Sequence, residues 1–334
     1  MSRAARIAAF AWIALSLPVS IAAADDRGIC GAAPTKPDTV AACGRIIASP
    51  KTSAHDRGLA YSFRANAMRA QGNMASAVAD YTQALTLLPN FVPALNGRGI
   101  ANRNLKKYDL ALADLNLAIG LTPNDPELYN TRGITYRVMG NPSQAITDFD
   151  QAIKLAPDYP VAFNNRGNAY VDLHQPDRGI EDFNQAIKLD PSYADPYFNR
   201  GNTESDDKAD YAEAIEDFSQ AIKLNPNYTA AYLGRAVSYG RDKNDVAALA
   251  DYAATLRIDP NQELAYRDRA MLYLNAGDYK HAIADLDTAI RLDPQDAKAI
   301  YERGVAKNKN GDPAGGASDT EAAKKIDPDI ASKM

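Results

Sequence analysis

Residues 126–159 read PELYNTRGITYRVMGNPSQAITDFDQAIKLAPDY, and this stretch decides the fold. Asp125 precedes it as a residue whose side chain can accept from the free N–H groups of a helix start, and Pro126 takes the first helical position, where its missing N–H costs nothing. The spacing predicts a helix as far as Met139, with Tyr129, Gly133 and Tyr136 on one face. Gly140, Asn141 and Pro142 then form a turn. A second helix is predicted over Ser143–Leu155, turning Ala145, Phe149 and Ala152 inward, and Pro157 stops its continuation. The segment is a helical hairpin.

The same pattern recurs on both sides. Pro89, Pro123, Pro157, Pro191, Pro226, Pro260, Pro294 and Pro328 are separated by 34, 34, 34, 35, 34, 34 and 34 residues. A fixed period of this length marks a repeat architecture. The blocks run 58–91, 92–125, 126–159, 160–193, 194–228 (with one inserted residue), 229–262, 263–296 and 297–330. Position 8 is always small (Ala65, Gly99, Gly133, Gly167, Gly201, Ala236, Ala270, Gly304), as is position 20 (Ala77, Ala111, Ala145, Gly179, Ala214, Ala248, Ala282, Gly316). Position 24 is bulky in seven blocks, among them Tyr81, Phe149, Phe183, Phe218 and Tyr252. Small residues thus oppose large ones across two closely packed helices.

With Gly133, Tyr136, Ala145, Phe149, Ala152 and Pro157 in the third block, and Gly167, Tyr170, Phe183, Ala186 and Pro191 in the fourth, the chain resembles the tetratricopeptide repeat family over residues 58–330. That resemblance implies an all-α fold, a right-handed superhelical solenoid of about eight 34-residue helix-turn-helix repeats, with the first helix of each repeat lining a concave groove. One hairpin cannot bury its apolar face alone, so neighbours complete the core. The eighth block, with Lys307, Thr320, Gly315 and Gly316, is degenerate and suits a solvent-facing cap.

Two charged series run through the array: Arg64, Arg98, Arg132, Arg166, Arg200, Arg235, Arg269 and Arg303 at position 7, and Asp80, Asp114, Asp148, Asp182, Asp217, Asp251, Asp285 and Asp319 at position 23. A selective ligand site needs residues that differ along a groove, and these do not vary. They are expected to pair with one another and set helix register, with exposed pairs contributing about 0–1 kcal/mol each.

Upstream, Arg3 and Arg6 precede an apolar run from Ile7 to Ala24 interrupted by Ser16, Pro18 and Ser20, the pattern of a signal peptide over 1–24. Ala22 and Ala24 place the expected cleavage before Asp25, and the product is expected to be periplasmic or secreted. No later segment reaches the roughly 18 apolar residues needed to span a bilayer, so no membrane insertion is expected after cleavage. Loss of Arg3 and Arg6 takes the formal charge from -5 to -7. Such a surface repels nucleic acid. Segment 25–57 is expected to hold a short helix from Asp38 to Ser49 and, in an oxidising compartment, a Cys30–Cys43 disulfide stabilising by roughly 3 kcal/mol.

His55, His174 and His281 form no metal-binding pair, and no nucleophile elbow, Walker loop or dinucleotide fingerprint occurs; no catalytic residue, metal or cofactor is expected. The positions that the family resemblance assigns to the groove carry Asn96, Asn130 and Asn164, then Asn66, Asn168 and Asn202, then Arg69, Arg103 and Arg137. A row of asparagines can hold the backbone of an extended peptide while arginines attract its acidic groups. Farther on, Phe198, Leu233, Met271 and Tyr301 make the same positions more apolar. In the fifth block Glu204 replaces the expected Tyr, and the first helix is expected to end early in a solvated acidic bulge, Glu204–Asp210, whose spacing does not match a calcium loop. The expected function is a non-catalytic interaction scaffold of the cell envelope that binds a protein or extended, acidic peptide in its groove. The alternatives are a regulatory subunit of a cell-wall or polysaccharide enzyme and a periplasmic chaperone.

Overall fold

The computed structural model describes residues 21–31 and 38–333. The signal-peptide reading therefore falls largely outside the described residues. Two compact units divide the chain, one ending at Met139 and the other beginning at Gly140. All regular structure among the described residues is helical.

The first unit opens with α1 (Ile21–Cys30) and α2 (Thr39–Ala48), which pack together and are joined by the Cys30–Cys43 disulfide. Ala42, Cys43 and Ala60 form a small core there, which ties this pair to α3 (Ala54–Ala70). Helix α3 starts one turn before the first block, because Ser53 caps it by accepting from the Asp56 N–H. α4 (Met74–Leu87), α5 (Val92–Asn104), α6 (Tyr108–Leu121) and α7 (Pro126–Val138) follow. The second unit contains α8 (Pro142–Leu155), α9 (Pro160–Asp172), α10 (Pro176–Leu189), α11 (Ala194–Thr203), α12 (Tyr211–Leu224), α13 (Thr229–Arg241), α14 (Asp245–Ile258), α15 (Glu263–Asn275), α16 (Tyr279–Leu292), α17 (Ala297–Lys309) and α18 (Pro313–Ile326). Asp125 caps α7 as its sequence indicates, whereas α8 begins one residue before Ser143, with Pro142 as its first helical residue.

Within each unit, successive helices pack as hairpins that stack on their neighbours, and the first helices adjoin one another directly: α3 with α5, α5 with α7, and onward from α9 through α17. Tyr81, Phe183 and Phe218 are essentially fully buried beneath the small residues of the partner helix. The two backbones of the last hairpin approach closely, so that a Cβ on Gly316 would lie 2.6 Å from the Gly304 carbonyl oxygen. The turns inside the hairpins place one residue in the left-handed region, Gly72, Gly277 and Gly311 in three of them but Lys106, His174 and Lys243 in others. His174 is thus an exposed turn residue, and His281 caps with Asp278 and faces Tyr273. At the C-terminus Ile330 covers Ala297, Ile300 and Ala323.

The fifth hairpin corrects one expectation. Its first helix does not stop at the insertion. A π-helical turn over Glu204–Lys208 continues α11 and absorbs the additional residue, and Ala209 then turns with φ 55°. Ser205 is buried there, and its hydroxyl meets that of Ser238. Glu204 is directed inward, its side chain 14% exposed.

Candidate functional site

The position-7 arginines are structural, and in a more demanding way than exposed ion pairs. In Arg64–Asp80, Arg98–Asp114, Arg166–Asp182, Arg200–Asp217, Arg235–Asp251, Arg269–Asp285 and Arg303–Asp319, Nε and Nη2 donate to the two carboxylate oxygens at 2.6–2.9 Å. The aspartates are buried, so removing one partner of a pair strands a desolvated charge. Each guanidinium also lies against the aromatic ring three residues earlier in six repeats, for instance Arg64 over Tyr61 and Arg200 over Tyr197. In Arg98, Arg132, Arg166, Arg200, Arg235 and Arg303, Nη1 reaches the second helix of the preceding repeat. Arg98 donates to Thr82 Oγ1 at 3.2 Å, Arg235 to Ser219 Oγ at 2.8 Å and Arg303 to Asp287 Oδ1 at 2.7 Å. One side chain therefore ties three helices, and Asp182 with Asp150 raises the affinity of Arg166 for its proton. The inter-repeat acceptors were not legible in the sequence, because any short polar residue at position 25 serves.

The first-helix face is different. Asn66, Arg69, Asn96, Arg103, Asn130 and Arg137 lie on α3, α5 and α7 of the first unit; Asn164, Asn168 and Asn202 lie on α9 and α11 of the second. Asn130 and Asn164 are buried, 5% and 4% exposed. The Asn164 amide braces its neighbours, accepting from Asn199 Nδ2 at 2.8 Å and donating to the Tyr193 hydroxyl at 3.4 Å. Asn66 accepts from the Tyr81 hydroxyl at 2.5 Å.

Arg69 and Arg103 stand close enough on adjoining α3 and α5 to repel. Burial, and then the Arg69 charge, pull the Arg103 guanidinium below its ordinary proton affinity. No carboxylate is within ion-pair distance of either, among the described residues. Arg69 Nε and Asn96 Oδ1 are buried without a hydrogen-bond partner. The first-helix face of this unit thus carries two guanidiniums without a carboxylate and, about two turns earlier on α5, an amide oxygen without a donor.

Among the described residues no group of His, Cys, Asp and Glu could hold a metal ion, and no helix is long and apolar enough to cross a membrane. Family models described as tetratricopeptide repeat match residues 98–163 and 236–299, residues 160–193, and residues 64–126 and 206–263, together more than half of the chain. No curated protein matches it. Among solved structures, the Cut9–Hcn1 hetero-tetramer of the APC/C is similar at TM-score 0.59 and 14% identity, covering 93% of this chain and 61% of that one. A tetratricopeptide repeat protein from Parabacteroides merdae is similar at TM-score 0.56 and 18% identity, covering 76% and 99%. PilW, described as a widely conserved type IV pilus biogenesis factor, is similar at TM-score 0.56 and 18% identity, covering 62% and 97%. These likenesses concern the fold.

Proposed function

Because the chain belongs to the tetratricopeptide repeat family, we propose that it is a non-catalytic scaffold of an exported compartment, binding an extended acidic segment of a partner protein on the first-helix face of its first unit. The observation that carries this reading is the Arg69–Arg103 corner, two guanidiniums without a carboxylate, with the orphaned Asn96 oxygen about two turns away on α5. A peptide carboxylate placed between them accepts charge-assisted hydrogen bonds in a partly desolvated setting, each worth roughly 1.5–3 kcal/mol. Asn96 lies seven residues before Arg103, about 10 Å along the helix. That matches roughly three residues of extended chain, so one ligand can offer its N–H to Asn96 and its acid to the arginines.

Export is supported by the Arg3, Arg6 and Ile7–Ala24 pattern and by the Cys30–Cys43 bond, since disulfides persist in oxidising compartments. The test is selection from a random peptide library displayed at physiological salt, on the disulfide-bonded chain and on an Arg69→Ala, Arg103→Ala double variant. Enrichment of Asp or Glu at one position on the parent, lost on the variant, is the expected result. Selection with no acidic preference, or the same preference on both, overturns the reading.

A further inference from the structure

Seven buried aspartates of the hairpins each hold a guanidinium in both carboxylate oxygens, whereas the buried Glu302 holds none. Glu302, on α17, is 2% exposed, and neither of its side-chain oxygens has a hydrogen-bond partner. The nearest cation is Lys298 Nζ, 3.9 Å from Oε1, beyond hydrogen-bond reach. Arg267 of α15 faces the same place but is engaged elsewhere, donating to Asp296 at 2.9 Å and lying beside Glu263 and Asp268. Arg267 Nε and Glu263 Oε1 are also buried without partners. Four carboxylates, Glu263, Asp268, Asp296 and Glu302, thus surround two cations, Arg267 and Lys298, and the unmet capacity converges on the Glu302 oxygens.

We propose that this face of α15 and α17 is a binding subsite for an arginine side chain of a partner protein, with Glu302 receiving the guanidinium in both oxygens. The reading is independent of the acidic-peptide corner, which lies in the other unit. A guanidinium is the cation whose fork matches two free oxygens of one carboxylate, and this chain uses that fork at seven buried aspartates of its hairpins. Entry is past Lys298, whose side chain is 47% exposed and whose Nζ stands 3.9 Å from Glu302 Oε1, beyond hydrogen-bond reach, so it can swing away. Burial, opposed by Lys298 and Arg267 and reinforced by Asp296 and Asp268, pushes the Glu302 carboxyl up to about 7. The empty subsite is then half protonated near neutrality, and only the ionised form accepts both guanidinium bonds. Affinity accordingly rises with pH.

The experiment is an NMR titration of the disulfide-bonded chain with Ac-Gly-Arg-Gly-NH2, followed at the backbone amides of Glu302 and Asp268, at pH 6 and pH 8. The same peptide with citrulline keeps the shape and removes the charge. Expected are saturable shifts with the arginine peptide, about tenfold tighter at pH 8 than at pH 6, and none with citrulline. Glu302→Gln is expected to weaken binding at least tenfold at pH 8 with an unchanged helical signal, and Glu302→Asp to weaken it less, since it keeps the charge. Equal binding of citrulline, equal binding by Glu302→Gln, or no saturable shift with the arginine peptide overturns the proposal; in that last case Glu302 is a carboxyl kept neutral or bridged by water.

Discussion

Asp182 and Glu302 are buried to nearly the same depth, 6% and 2% exposed, yet one lies in a hairpin interior with Arg166 in both its oxygens and the other lies on the first-helix face with neither oxygen filled. The same contrast separates Arg200, which grips Asp217, from Arg103, which meets another arginine. In the hairpin interiors seven Arg–Asp pairs match charge within the molecule, and there they fix register. On the first-helix faces Arg69, Arg103 and Glu302 have no opposite charge within hydrogen-bond reach, and it is there that the proposed partners would supply one. An unvarying charge series marks the scaffold here, and the proposed sites lie at the breaks in it.

The contrast breaks if the matched charges prove dispensable. Asp182→Ala leaves Arg166 desolvated beside Asp150 alone and is expected to cost about 3–5 kcal/mol in urea unfolding; a loss below 1 kcal/mol would show the interior pairs to be ornamental. Exchanging both partners for apolar residues, Arg200→Met with Asp217→Leu, should by the same reasoning be near neutral. Gly316→Ala is next, since its Cβ would meet the Gly304 carbonyl oxygen at 2.6 Å, and overpacking of this kind costs about 1–3 kcal/mol.

Glu204 sharpens the comparison because it is an unmatched carboxylate in a hairpin interior. Burial, then Asp217, push its carboxyl up to about 8 against the pull of Arg200, which is already occupied. The folded chain therefore holds this proton more tightly than the unfolded chain does. The contribution to stability falls as pH rises from the usual carboxylate range to about 8 and is level above. Glu204→Gln should remove that fall and stabilise by about 1 kcal/mol at pH 8.5, with little change at pH 4; thermal unfolding at both values decides, and equal shifts at both would contradict the assignment. The smallest stability effect is expected for Arg103→Ala, within about 0.5 kcal/mol, because the residue it removes has no internal partner.

Much of this scaffold was legible in the sequence. The 34-residue period, the small residues at positions 8 and 20 opposite Phe183 or Tyr81, and the Arg–Asp series all follow from periodicity, which reports the face on which a residue lies. It does not report depth. Hence the aspartates, read as exposed, are buried, and Asn130 and Asn164, read as lining a groove, are largely enclosed. The first-helix face was readable only where residues of one kind cluster, as Arg69 and Arg103 do. Position 6 varies from Phe63 through Gly97 to Asp268 and Glu302, so nothing in the spacing singles out the carboxylate cluster, which exists only once α15 and α17 adjoin. The π turn was hidden for a related reason: an inserted residue can end a helix or widen it, and the fit of Ser205 against Ser238 settles that.

The most direct test of the account is calorimetric titration of the parent chain and the Arg69→Ala, Arg103→Ala variant with one acidic peptide recovered by selection, alongside their unfolding midpoints. The account predicts at least a tenfold loss of affinity in the variant, a weaker dependence of binding on salt, and a midpoint that stays level or rises. Unchanged affinity, or a loss of binding explained by a fall in the midpoint, would contradict the claim that unmatched charge on the first-helix face is what this protein offers to its partner.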